Sequence, residues 1–224
     1  MHRSLKISVV IPCYNEEDGI RHVLEGIPPY VDEVVVVDNA SSDRTAEVAQ
    51  SLGARVVYQG IRGYGAAYKA GLPAATGDVI VTLDGDGTYP ADAIASLVDH
   101  LEEKRLDFLS ASRFPLRDKN VMNATNKLGN WVLTVATLVL FFRPIRDSQS
   151  GMWVFRRKVL PLLRLKSDGM PLSEEIKIEA IRHPAVRFGE KHIDYRPRIG
   201  EVKLRKWRDG FENLWFLVRM RFAR

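Results

Sequence analysis

Five short stretches of the first half are mostly apolar and nearly free of charge, four of them rich in Val and Ile: Ile7 to Ile11, Val34 to Val37, Arg55 to Tyr58 and Val79 to Leu83, with Phe108 to Ala111 as the fifth. Each reads as a strand. The segments between them carry apolar residues at helical spacing, as in Ile20, Val23, Leu24 and Ile27 at i, i+3, i+4 and i+7. Further helices are predicted over Asp43 to Leu52, with Ser42 or Asp43 near the cap, and over Ala66 to Ala75 and Ala91 to Glu103. Unbroken apolar strands alternating with helices predict an α/β fold: a parallel sheet with helices on both faces. After Arg113 the pattern loosens. Asn120 to Phe142 predicts one long helix or two, Trp153 to Phe155 a strand, Pro171 to Ile181 a helix, Val186 to Tyr195 one or two strands, and Trp207 to Phe222 a helix. Repeats, low-complexity tracts and linkers are absent from the pattern. The expectation is one domain over 1–224, with a nucleotide-binding half, 1–113, and an acceptor half, 114–224.

The polar motifs gather where the predicted strands end, which is where open α/β sheets bind ligands. Ile11 to Glu17 reads I-P-C-Y-N-E-E. Proline stops the strand, Tyr14 offers a flat face for a base, and Asn15 and Glu16 open a helix; the same residues also suit a helix cap over a buried aromatic. Asp38 ends the second strand, either hydrogen-bonding a ribose or base or closing an Asx turn. Gly63 to Gly71, G-Y-G-A-A-Y-K-A-G, lacks the G-K-[ST] ending of a phosphate loop and the third small residue of a dinucleotide fingerprint. Its glycines read as close-approach positions, and Lys69 is a candidate diphosphate contact.

The fourth strand runs into T-L-D-G-D-G-T-Y-P, Thr82 to Pro90. Two carboxylates one residue apart repel each other unless something compensates them. Oxygen ligands suit Mg²⁺ or Mn²⁺, which bind through one or two carboxylates plus substrate phosphates. Asp84 and Asp86 are therefore candidate metal residues, and Gly85 and Gly87 leave room for a diphosphate. No Cys/His cluster exists for zinc.

Charge and composition narrow the partners. The net charge of +5 is concentrated at the end of the chain: Arg196 to Arg224 holds nine basic and three acidic residues. Phe211, Leu214, Trp215, Val218 and Phe222 fall at helical spacing among them. That suits an interfacial helix on anionic lipid, or a core-packing helix with a solvated basic face. The longest apolar run, Trp131 to Phe142, is twelve residues, short of the roughly 20 needed to span a bilayer. The single cysteine, Cys13, forms no internal disulfide and points to a reducing compartment. Met1 to Ser4 leads directly into a strand, so no secretory signal is expected. Basic charge confined to one end, without a recognised binding motif, leaves a nucleic-acid-binding module as a distant alternative.

Taken in order, I-P-C-Y-N-E-E, the Asp38 strand end, G-D-V-I-V-T-L-D-G-D-G and the later D-S-Q-S-G resemble the family 2 glycosyltransferases of GT-A fold. Among these the chain is most similar to dolichyl-phosphate mannosyltransferases and related polyprenyl-phosphate hexosyltransferases. The resemblance covers nearly the whole chain. It implies a Rossmann-like, mostly parallel sheet and a DXD motif whose carboxylates hold a divalent ion on the donor diphosphate. Pro12, Tyr14, Glu16 and Asp38 would hold the nucleoside, Asp84 the donor, and Asp86 the metal. Arg113 would bind the acceptor phosphate. Asp147, Ser150 and Gly151 match the element beside the reacting sugar, and Arg198 and Lys203 match late basic residues. The chain departs from the pattern at Thr88, where many relatives carry a glutamine ligand, and at Val202, where serine is common.

The implied reaction is metal-dependent, inverting transfer of a hexose (mannose, glucose or GlcNAc) from a GDP- or UDP-sugar to dolichyl or polyprenyl phosphate. A phosphate monoester has a second pKa near ~6 and is already a nucleophile at neutral pH, so no base is required. A hydroxyl acceptor, the alternative reading, would need one, and Asp147 is the candidate. The expected partners are the nucleotide sugar, the lipid phosphate and the cytoplasmic face of a membrane, with room for a membrane-protein partner or a homo-oligomer. A sugar nucleotidyltransferase would start with a glycine-rich loop after the first strand, and none is present.

Overall fold

The computed structural model describes residues 5–201 and 206–222. Seven strands form one sheet: β1 (Ile7–Cys13), β2 (Glu33–Asp38), β3 (Arg55–Tyr58), β4 (Val79–Thr82), β5 (Phe108–Ser112), β6 (Trp153–Arg156) and β7 (Phe188–His192). The helices are α1 (Glu17–Glu25), α2 (Thr45–Ser51), α3 (Tyr64–Ala74), α4 (Ile94–Glu103), α5 (Ala124–Phe141), α6 (Leu172–Arg182) and α7 (Lys206–Phe222). The region predicted as one helix or two, Asn120 to Phe142, contains the single helix α5, with the Asn123 side chain accepting from the Asn126 N–H as its cap.

The strand order is β3-β2-β1-β4-β6-β5-β7. β1 lies parallel between β2 and β4, β2 is parallel to β3, and β5 is parallel to β7. The sheet is mixed, because β6 sits antiparallel between β4 and β5. This is the mostly parallel sheet that the resemblance implied. The reason is the path of the chain. Arg113, just after β5, pairs with Asp147, and Gly151 abuts Asp84 at the end of β4. The chain therefore enters β6 from the carboxyl edge without the crossover that a parallel strand requires.

Alternation along β1 divides the core. Val9 and Ile11 pack with Ile20 and Val23 of α1, Val48 of α2 and Ile94, Leu97 and Leu101 of α4. Val10, on the opposite face, packs with Tyr68 and Leu72 of α3, Ile176 of α6, and Trp153 and Phe155 of β6. The α3 contact is close: a Cβ on Gly71 would lie 2.5 Å from Val37 Cγ2 and 2.8 Å from Val10 Cγ1. A third, smaller cluster of Leu133, Phe141, Ile178 and Leu217 ties α5, α6 and α7 together.

Candidate active site

The carboxyl ends of β1, β2 and β4 bring Tyr14, Glu16, Asp38, Asp84 and Asp86 to one edge of the sheet. Asp86 is buried. Its Oδ1 accepts from the Thr88 N–H at 3.0 Å and the Thr88 hydroxyl at 2.7 Å, and its Oδ2 accepts from Arg198 Nη1 at 2.6 Å. Arg198 Nη2 donates to Glu16 Oε1 at 2.6 Å, so one guanidinium spans two acids. Thr88, where a glutamine ligand was expected, orients Asp86. Asp84 Oδ1 is buried without a hydrogen-bond partner. Burial, then the nearby Asp86, push the Asp84 carboxyl up to about 7 against the pull of Arg198 and Arg113.

An unpartnered buried carboxylate oxygen beside a second acid fits a divalent cation. Among the described residues no group of three or more His, Cys, Asp or Glu side chains is arranged to hold a metal. The protein would supply Asp84 and Asp86, leaving the remaining positions to diphosphate and water, as Mg²⁺ and Mn²⁺ commonly bind. Gly87 has φ +74°, a conformation open to glycine. At Gly85 a Cβ would lie 2.6 Å from Cys13 Sγ, so packing against β1 excludes a side chain there.

Sequence reasoning missed three tyrosines around Asp84. Tyr64 and Tyr68 meet edge to face on α3, with ring centres 4.9 Å apart, and Tyr89 accepts from the Gly151 N–H at 2.6 Å. A Cβ on Gly151 would collide with the Tyr64 hydroxyl and stand 3.4 Å from Asp84 Oδ1. Burial raises the phenol pKa of all three.

Other expected donor residues are placed less uniformly. Pro12 pairs with Val37 inside the sheet, and Asp38 Oδ1 accepts from the Ser41 N–H at 3.0 Å, so Asp38 does close the turn. Tyr14 keeps an aromatic face at the edge, with the Arg62 guanidinium 4.6 Å from its ring centre. Lys69 reaches the other way, to Asp168 at 2.6 Å and the Lys166 carbonyl at 3.1 Å. In this arrangement the side chain has an anionic partner on another loop and is not directed at the acidic loop's carboxylates.

Beyond β5, Arg113 and Asp147 form a buried, two-pronged ion pair. Arg113 Nε donates to Oδ2 at 2.7 Å, Nη2 to Oδ1 at 2.8 Å, and the Arg113 N–H to Oδ2 at 3.0 Å. Burial raises the Asp147 pKa, but Arg113 and Lys177 outweigh it and the net shift is downward. Asp147 is a fully enclosed carboxylate with both oxygens bound by Arg113, an arrangement that favours an anchoring role over that of the candidate base. Ser150 is also fully enclosed and donates its hydroxyl to the Ala111 carbonyl. That bond braces β5 against the turn before β6. Lys203 lies outside the described residues.

Nothing in the residue pattern announces the buried polar chain behind this pair. Lys177 donates to the carbonyls of Ser150 at 2.9 Å and Asp147 at 3.1 Å, and burial draws its pKa down to about 8. Glu174 accepts from Gln149, which accepts from Asn213 of α7 at 3.1 Å. Burial pushes Glu174 up to about 8.

A cavity of about 500 Å³ opens between α5 and α7. Thr88, Arg113, Tyr195 and Arg198 lie at its polar end, and Met122, Leu128, Val132, Leu133, Phe211 and Leu214 supply apolar walls. Arg113 stacks 5.2 Å from the Tyr195 ring centre. Beside the cavity, Leu128, Trp131, Val135, Leu138, Val139 and Phe142 of the α5 region and Phe211, Trp215 and Phe222 of α7 are exposed. Among the described residues no helix is long and apolar enough to cross a membrane.

A family model described as "Glycosyl transferase family 2" matches residues 8–163, which include the acidic loop and the Arg113–Asp147 pair. The chain belongs to glycosyl transferase family 2. It is a glycosyltransferase, and its mostly parallel sheet is of the GT-A type. A dolichyl-phosphate hexose transferase of Haloferax volcanii is 35% identical over 210 residues, covering 91% of this chain and 89% of that protein. The low-salt glycan biosynthesis hexosyltransferase Agl6 of the same organism is 31% identical over 95% of this chain, which spans 53% of Agl6. The dolichol-phosphate mannosyltransferase of Pyrococcus furiosus is 30% identical over 78% of this chain and 53% of that protein. In fold, the chain resembles the glucosyl-3-phosphoglycerate synthase of Mycobacterium tuberculosis crystallised with Mn²⁺, UDP and glucosyl-3-phosphoglycerate. The TM-score is 0.74, with 22% identity over 97% of this chain and 80% of that one.

Proposed function

We propose that this family 2 enzyme transfers a hexose from a GDP- or UDP-sugar to a polyprenyl or dolichyl phosphate at a membrane surface, with Mg²⁺ or Mn²⁺ on the donor diphosphate. The observation that carries the reading is the cavity whose cationic end, Arg113 and Arg198, adjoins the acidic loop while its walls are apolar. A phosphate head binds at the arginines, and its hydrocarbon tail runs between α5 and α7 toward the exposed apolar face. The relatives named for dolichyl phosphate support the same acceptor class.

Asp84 and Asp86 hold the cation, which when bound offsets the charge that develops on the departing nucleoside diphosphate. Tyr14 and Asp38 border the place of the nucleoside. Tyr64, Tyr89 and Gly151 shape the wall beside Asp84, where the sugar sits. The acceptor phosphate, largely dianionic at neutral pH, attacks the sugar C1 in line and inverts it, and no protein base takes part. Arg113, fixed by Asp147, holds that phosphate at the correct distance. The exposed Trp131, Trp215 and Phe222, with Arg219 and Arg221 near them, rest on anionic lipid and keep the enzyme peripheral.

The test is a panel of radiolabelled GDP- and UDP-sugars with polyprenyl phosphate and Mn²⁺ or Mg²⁺, followed by organic extraction. Label should enter the organic phase with one donor, and should be lost with chelator or Asp86→Ala. Label that remains aqueous with every lipid phosphate, yet transfers to a small soluble acceptor, overturns the lipid reading. Full turnover by Asp86→Ala overturns the metal reading.

A further inference from the structure

Arg198 holds two carboxylates that are 70 positions apart in the chain, Glu16 and Asp86, at 2.6 Å each. Its backbone is pinned to the acidic loop as well: the Arg196 N–H donates to the Thr88 carbonyl and the Ile199 N–H to the Asp86 carbonyl, both at 2.9 Å. Asp86 Oδ1 is turned toward Thr88, so Oδ2 is the oxygen available to an incoming cation, and the guanidinium is bound to it. Arg198 Nε is buried without a partner, so the side chain is not fully satisfied where it lies. The same side chain lines the cavity beside Arg113. Gly200, with φ +82°, ends the segment two residues later and gives the backbone a turn at which to shift.

We propose that Arg198 is the protein's own competitor for the divalent cation, displaced from Asp86 when the ion binds and thereby delivered to the acceptor phosphate. This rests on the metal-dependent reading above. Two cations cannot share Asp86 Oδ2 at contact distance without strong repulsion. The ion must therefore displace Nη1 from Asp86; Glu16 still holds Nη2, and the freed Nη1 with the unpartnered Nε turns to the phosphate at the cationic end of the cavity. Donor and acceptor sites are then coupled through one side chain: cation and donor release Arg198, and its release completes the phosphate grip. Arg198 acts as a positioning residue for the order of binding as well as a contact for the acceptor.

The experiment titrates the full chain with Mn²⁺ alone and follows free Mn²⁺ by electron paramagnetic resonance. Arg198→Gln should bind Mn²⁺ about tenfold more tightly than the parent, the equivalent of one lost charge-assisted hydrogen bond. Arg198→Lys, which keeps the charge but cannot span both acids, should fall between them, and it serves if the glutamine variant does not fold. Arg196→Gln removes a neighbouring charge paired with Asp92 and should leave the affinity near the parent value. Equal Mn²⁺ affinity in the parent and both Arg198 variants overturns the proposal, as does an equal gain in Arg196→Gln, which would mark a general field effect. Asp86→Asn separates the two levels. If it binds Mn²⁺ as the parent does, the metal reading itself fails. If it loses Mn²⁺ while the Arg198 variants match the parent, competition alone fails.

Discussion

Replacing Asp147 by asparagine tests how Arg113 is held. The parent carboxylate takes three hydrogen bonds from Arg113, at 2.7, 2.8 and 3.0 Å, with no exposure to solvent. Asparagine keeps the shape and one acceptor but removes the charge and turns donors toward the guanidinium. Arg113 is then a buried cation beside Tyr195 and Asn130, with Lys177 on the far side. Removing one partner of a buried pair costs about 3–5 kcal/mol, and asparagine's retained acceptor places the loss near ~3 kcal/mol. For a chain of this size that corresponds to a fall in Tm of about 6–12 °C. The assay pairs thermal unfolding with the pH–rate profile. Asp147→Asn should lose stability and turnover while the profile keeps its shape. A variant as stable as the parent, with the acidic limb of its profile gone, would restore Asp147 as a general base and refute the anchor argument. Arg113→Met combined with Asp147→Leu should regain part of the stability and stay inactive, because the buried guanidinium leaves with its partner while Lys177 keeps its carbonyl acceptors and Glu174.

Gly151→Ala should raise the donor KM and lower turnover while costing about 1–3 kcal/mol in urea unfolding, since the added methyl overlaps the Tyr64 hydroxyl beside Asp84; an unchanged KM would remove that wall from the donor site. Asp107 is pushed up by burial, but hydrogen bonds from Arg187 and Lys158 outweigh this and take it from 3.8 to about 2. Screened by the solvent around the exposed Lys158 and Arg187, its contribution of about 1 kcal/mol is complete above 3.8 and disappears as pH falls through about 2. Parent and Asp107→Asn should differ in urea midpoint at neutral pH and converge in acid; a constant difference would contradict the assignment. Changing Trp131 and Trp215 together to serine should weaken binding to anionic vesicles on the order of a hundredfold, from the apolar area withdrawn. Sedimentation with vesicles measures it, and unchanged pelleting would locate membrane contact elsewhere.

The order of strands and helices was legible in the sequence, and so was the gathering of Tyr14, Glu16, Asp38, Asp84 and Asp86 at the strand ends. Those features are local. Side-chain alternation marks a strand, a 3.6-residue period marks a helix, and the carboxyl edge of a sheet follows from where each apolar run stops. What only the tertiary structure decided is which charge meets which. Arg198 reaches Asp86 across 112 positions and Arg113 reaches Asp147 across 34. Lys69 and Ser150, plausible ligands from their motifs, are engaged by Asp168 and the Ala111 carbonyl instead. Glu174 and Lys177 resemble ordinary surface positions of α6, yet both are enclosed. The direction of β6 likewise depends on the chain staying at one edge of the sheet after β5. A charged side chain's role is set by the counter-ion and solvent around it, and packing brings those from distant parts of the chain.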